Sequence, residues 1–191
     1  MIPIPYFPRR ILKTSISAGE IIDALESRGY GENTCIIFSA DHGERLCDHR
    51  LPVKHVAYEP SWRVPLIVSG PGLPEGNHSD ALIELMDVGE TICDLTGISS
   101  PPNIDARSFL PVLTGSQTGH RDYVLTIERP YQAMRTREWK YIDTYNDWNE
   151  LYNMQDDPQE LRNRVHEEPE TAKELAGTMR DGFAAGGILR L

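Results

Sequence analysis

Asp41-His42-Gly43-Glu44 places a carboxylate beside an imidazole, directly after the apolar run Thr34-Cys35-Ile36-Ile37-Phe38-Ser39-Ala40. Lys54 follows in an otherwise apolar stretch, and Tyr58-Glu59 comes shortly after it. Anionic oxygen suits hard divalent cations, and imidazole serves as one member of a mixed ligand set. A lone lysine among Pro52, Val53 and Val56 needs an anion if its loop folds inward. That anion is an oxyanion substrate or a carboxylate such as Asp48 or Glu59. A polar turn, with Asp41 capping the backbone and His42 facing solvent, accounts for the first pair equally well, because short motifs recur by chance. Position favours the metal: in open α/β sheets, ligand sites gather at the carboxyl ends of strands. His49 and His55 share the loop and could act on a leaving group, although solvated loop histidines are the ordinary case. Glu59 and Arg63 are spaced to pair across one helical turn.

The elements that would carry these residues are legible from periodicity. Residues 1–18 form an irregular, Pro-rich lead-in, with Ser15 or Ser17 as cap of a helix running to about Arg28 and stopped by Gly29. Residues 34–39 and Val64–Val68 read as buried strands, continuous in apolar character as parallel central strands are. The long connection between them is of the kind that carries function. A helix from about Asp87 to Leu95 ends at Gly97, and a short one covers Arg107–Leu113. After residue 120, Tyr123–Ile127, Ala133–Thr136, Trp139–Asp143 and Asn149–Asn153 are β-rich runs a turn apart, as in an antiparallel meander. The aromatic group Trp139, Trp148, Tyr141, Tyr145 and Tyr152 reads as the core of that sheet. A charged helix from about Pro169 to Met179 and a loose tail complete the chain. Residues 19–118 are therefore expected to be α/β, 119–182 a small α+β subdomain and 183–191 a loose tail.

Composition removes several classes of function. A net charge of −10 over 191 residues lacks the basic footprint of non-specific nucleic-acid binding. The same acidity repels anionic substrates, so a local cation has to overcome it at short range. Three cysteines, Cys35, Cys47 and Cys93, form no C-x-x-C pair, which argues against a disulfide framework or a structural zinc. No apolar run is long enough to span a bilayer, and the basic pair Arg9-Arg10 follows the apolar residues, the wrong order for a secretory signal. A cytoplasmic location is the corresponding expectation. Walker, G-x-G-x-x-G and G-x-S-x-G motifs do not occur.

Taken as one ordered pattern, these residues resemble the C-terminal portion of the sulfatase family, within the alkaline phosphatase superfamily. The pattern runs Ile36–Glu44, Leu46, Asp48-His49, Lys54, Tyr58-Glu59, Arg63–Val68 and Gly70-Pro71-Gly72, then Met134-Arg135-Thr136, Trp139-Lys140-Tyr141, Glu150–Asn153, Asp157-Pro158 and Glu160. It covers roughly residues 19–165. The resemblance implies an alkaline-phosphatase-like α/β sandwich, represented by its C-terminal part, plus a small antiparallel sheet with a helix. It implies that Asp41 and His42 supply the second pair of ligands to one divalent cation, usually Ca²⁺. Lys54 would contact the sulfate and support the departing ester oxygen, with His49 a weaker substrate contact. Histidine at position 42 is similar to the iduronate-sulfatase, choline-sulfatase and phosphonate-hydrolase branch. The family loop usually carries Gly and Trp where this chain has Cys47, Arg50, Pro52 and Val53, and a fixed φ at Pro52 could move Lys54. The C-x-P-S-R motif that yields the formylglycine nucleophile, and the early acidic pair, do not occur in these residues. The expectation is half of a sulfate-ester-hydrolysing centre, inactive by itself, with exposed core surface able to drive self-association. Phosphonate or phosphodiester hydrolysis on the same scaffold, and a non-catalytic binding module, are the alternatives.

Overall fold

A computed structural model describes residues 6–50 and 54–186. These fall into two compact units, one containing residues up to 39 with 65–75, the other 40–64 with 76 onward.

The first unit holds helix α1 (Tyr6–Ser27) and strands β1 (Ile36–Ser39) and β2 (Leu66–Ser69). The helix starts well inside the lead-in that was expected to be irregular. Pro8 explains the discrepancy, because it sits in the first turn, where the missing N–H has no intrahelical partner to lose. Gly29 ends the turn after the helix with φ 76°, and Tyr30 N–H reaches back to Leu25 O at 3.0 Å. β1 and β2 pair antiparallel, with Phe38 opposite Ile67, which corrects the expectation of parallel buried strands. Continuous apolar character does not encode strand direction, and the long 40–64 connection permits either sense. Phe38 and Ile67 are both exposed, so this ribbon keeps one open apolar face. Gly70 is required where the chain leaves β2, since a Cβ there would lie 3.0 Å from the Cys35 backbone.

The second unit is built on a four-stranded antiparallel meander, β3 (Tyr123–Glu128), β4 (Tyr131–Thr136), β5 (Trp139–Thr144) and β6 (Glu150–Asn153), in sequential order. Alternation sorts its residues onto two faces. Met134, Tyr141 and Leu151 face helix α5 (Pro169–Ala185) and pack on Ala172, Leu175, Met179 and Phe183. α5 thus runs past the expected stop near Met179 and into the expected tail, because Phe183 still has core to bury. Residues 187–191 of that tail lie outside the described residues. Ala133, Ile142, Tyr131 and Tyr152 form the other face and receive Ala57, Tyr58 and Trp62 from the 40–64 connection. A short helix α2 (Glu59–Trp62) lies in that connection. Among the predicted aromatic core, Tyr141 and Tyr152 are buried, whereas Tyr145 and Trp148 are exposed in the β5–β6 turn.

Helix α3 (Asp87–Thr96) ends at Gly97 in the left-handed conformation, as its sequence predicts. Asp87 is fully buried and gathers the surrounding segment. Its carboxylate accepts Glu84 N–H at 3.0 Å, Arg107 N–H at 2.8 Å and Arg121 Nη2 at 2.5 Å, with His120 Nε2 3.0 Å away. Burial alone would raise its pKa, but the Arg121 guanidinium and these N–H donors hold it below the usual carboxylate value. Helix α4 (Leu110–Leu113) starts later than expected, and in the segment before it Arg107 N–H and Phe109 N–H donate to the Asp87 and Thr91 side chains.

Candidate metal and anion centre

The site begins just after β1. Gly43 N–H donates to Ser61 O of α2 at 2.8 Å, and a Cβ at position 43 would lie 2.0 Å from Pro60 O. Only glycine lets the two backbones approach this closely, so α2 acts as the platform for the Asp41-His42-Gly43 turn. His42 Nδ1 lies 2.8 Å from Gly43 O, which accepts its proton and thereby selects the Nδ1–H tautomer. Nε2 is left with its lone pair, and the Lys54 ammonium donates to it. Asp41 Oδ2 stands 3.4 Å from the same Nε2. Asp41 is open to solvent and His42 partly so.

The structure thus brings together Asp41, His42 and Lys54, which sequence spacing had only placed in one loop. His49 takes another course: its ring stacks on Tyr58 at 4.2 Å and 6°. His55 also turns away, with Nδ1 2.6 Å from Glu128 Oε1. The loop between Arg45 and Lys54 is unusual in its backbone. Leu46, Cys47, His49 and Arg50 all have φ between 51° and 79°, a region that favours glycine. Pro52 and Val53, expected to perturb Lys54, lie outside the described residues.

Behind this cluster stands a buried polar layer. Glu59 does not pair with Arg63, as its spacing predicted; its Oε1 lies 2.7 Å from Lys140 Nζ and 3.4 Å from Arg135 Nε. Glu160 Oε1 is also 2.7 Å from Lys140 Nζ. Burial pushes the Glu59 carboxyl up, but the Lys140 ammonium and Arg135 outweigh it and hold the group below its usual value. Glu160, buried and beside Glu59, is raised despite the same ammonium. Tyr58 and Tyr152 both donate to Glu150 Oε2, and burial followed by that carboxylate raises both phenols. Tyr131 is pushed up to about 12 by burial and then Glu128. Lys140, Glu150 and Glu160 stood in the sequence only as members of the family pattern, with no role at the site. One signal for Lys140 was present: in Trp139-Lys140-Tyr141-Ile142, strand alternation puts the lysine on the same face as Ile142.

The donor set fits a divalent cation in part. A carboxylate supplies hard oxygen, and an imidazole locked through Nδ1 presents Nε2, the usual arrangement of a metal-ligating histidine. Among the described residues, no group of three or more His, Cys, Asp or Glu side chains converges to complete a metal shell.

Residues 47–184 match the family described as N-sulphoglucosamine sulphohydrolase, C-terminal. The chain belongs to the sulfatase family. It corresponds to the C-terminal portion of a sulfatase, with the mixed α/β architecture expected of it. Chicken (Gallus gallus) arylsulfatase K is 34% identical over 185 residues, covering 88% of this chain and 34% of the relative. The chain therefore spans about a third of the length of the curated relatives it matches. A solved protein in complex with its substrate D-glucosamine-2-N,6-O-disulfate superposes with TM-score 0.84 at 28% identity, over 93% of this chain and 39% of that one. A phosphonate monoester hydrolase from Silicibacter pomeroyi superposes with TM-score 0.75 at 27% identity, over 88% and 37%. Sulfatase membership implies a divalent cation. No helix among the described residues is long and apolar enough to cross a membrane.

Proposed function

We propose that this chain supplies the second half of a sulfate-ester-hydrolysing centre. Asp41 and His42 would be two ligands of one divalent cation, Ca²⁺ in our reading, and Lys54 the residue that handles the sulfate. The observation that carries the proposal is the convergence of Lys54 on His42 Nε2 beside Asp41, in a sulfatase-family chain. When bound, the cation supplies Lewis-acid polarisation of the sulfuryl group. Lys54 meets the bridging ester oxygen and offsets the negative charge that grows there as the S–O bond breaks. His42 Nε2 has one lone pair, so an ammonium and a cation cannot share it. Lys54 is thereby available to the anion whenever the histidine serves as ligand. His49, stacked on Tyr58, would at most line the leaving-group side. The nucleophile and the other acidic ligands are assigned to the sulfatase length that these residues do not span. Sulfated sugars are the first substrates to try, since one solved relative binds a glucosamine disulfate. The acidic surface and absence of a basic footprint speak against nucleic acid.

Phosphonate ester hydrolysis is the second reading, supported by the likeness to the Silicibacter hydrolase. Turnover of an aryl sulfate and the matching aryl phosphonate by the complete polypeptide carrying these residues separates the two. We expect kcat/KM for the sulfate to exceed that for the phosphonate by about tenfold or more, a transition-state preference above ~1.4 kcal/mol. The opposite order assigns the centre to phosphonate chemistry, and turnover of neither removes the hydrolase reading.

A further inference from the structure

The Lys140 cluster has no part in the chemistry just described, yet it is among the most deeply buried polar groups of the chain. Lys140 is fully buried on β5, and two residues of α2 converge on its ammonium: Glu59 Oε1 at 2.7 Å and the Trp62 ring, centroid at 5.0 Å. Glu160 closes the cluster from the far side at 2.7 Å. Its other oxygen, Oε2, accepts Glu59 N–H at 2.7 Å, satisfying a donor that opens α2 and that no helical carbonyl can take. Glu160 makes this contact from a left-handed backbone, φ 57°, which a non-glycine residue adopts at a cost. α2 in turn holds Gly43 through Ser61 O, and Gly43 O fixes the His42 ring.

We infer that Lys140 and Glu160 are positioning residues that lock α2, and through it set the Asp41-His42 turn. Its bearing on catalysis rests on the sulfatase reading proposed above, whereas the mechanical link does not. Charge makes the lock specific. Without Lys140, Glu59 is left with Arg135 at 3.4 Å and Glu160 loses its ammonium, so the two buried carboxylates repel and the hold on α2 weakens. The α5 face of the sheet lies on the opposite side of the strands and does not share this constraint. The site would therefore loosen while the α5 core stays closed.

Amide hydrogen exchange of the 191-residue chain tests this directly. In Lys140→Met, the amides of Gly43 and Arg63 are expected to exchange about tenfold faster or more, with Leu175 and Met179 in α5 changed less than about threefold. The ring ¹⁵N shifts of His42 should lose the Nδ1–H pattern in the same variant. Glu160→Gln keeps an acceptor for Glu59 N–H, and Glu160→Ala removes it; Gly43 protection should fall much further in the second. This pair decides the matter if Lys140→Met does not fold. Unchanged Gly43 exchange in Lys140→Met and Glu160→Ala, or equal acceleration of the α5 amides, overturns the inference. Since no readout is turnover, failure of the sulfatase reading would leave these results standing.

Discussion

Gly43→Ala is expected to be the most damaging single-methyl change in the chain. The added Cβ would lie 2.0 Å from Pro60 O and 2.9 Å from Pro60 C, both backbone atoms that no rotamer change can move aside. Relief requires the Asp41-His42 turn and α2 to part by more than an ångström, breaking the 2.8 Å Gly43–Ser61 hydrogen bond. Overpacking of this kind costs about 1–3 kcal/mol, and the lost hydrogen bond ~1 kcal/mol more. The consequence for function is larger. A displacement of about 1 Å at reacting groups lowers rate by ~100-fold, so aryl-sulfate turnover by the complete polypeptide should fall by at least that factor. Thermal unfolding measured alongside would show a modest drop and a cooperative transition. Retention of full turnover would show that the turn does not depend on α2.

Lys54→Met should produce the second large effect, confined to chemistry. Methionine keeps the length and apolar stem but cannot donate to the departing oxygen. Loss of one donor aimed at developing charge typically costs about 10²–10³-fold in kcat. Substrates with very good leaving groups place less charge on the bridging oxygen, so the defect should shrink as leaving-group pKa falls. Cation affinity should not weaken, because Lys54 competes for His42 Nε2 and is not itself a ligand. A Lys54→Met protein with normal kcat on a poor leaving group would remove Lys54 from the mechanism.

Local signals carried much of this chain. Strand alternation located the meander, Gly97 located the end of α3, and the ordered short motifs singled out Asp41, His42 and Lys54, whose side chains the fold brings together. What stayed hidden depends on contacts far apart in sequence. The antiparallel sense of β1 and β2 is a property of the pair, and neither strand records it alone. Glu59 has a plausible partner four residues away in Arg63, but the fold offers it Lys140, already buried and 81 residues distant in the sequence. Periodicity could place Lys140 on an inner face but not name the carboxylates that satisfy it. The prolines near the N-terminus misled for a local reason, since Pro8 lies in the first turn of α1, where proline is tolerated.

Calcium titration of the complete polypeptide and its Asp41→Ala variant, followed by calorimetry, tests the central assignment most directly. Asp41 is solvent-exposed, but its Oδ1 accepts His42 N–H at 2.9 Å, so thermal unfolding of the variant, run alongside, separates lost ligation from a loosened turn. Removing even supporting groups around a metal weakens binding by about 10–100-fold, and loss of a ligand should cost at least as much. That weakening is the expected result, with aryl-sulfate turnover falling in parallel. An Asp41→Ala protein that binds calcium as tightly as the parent would contradict the assignment.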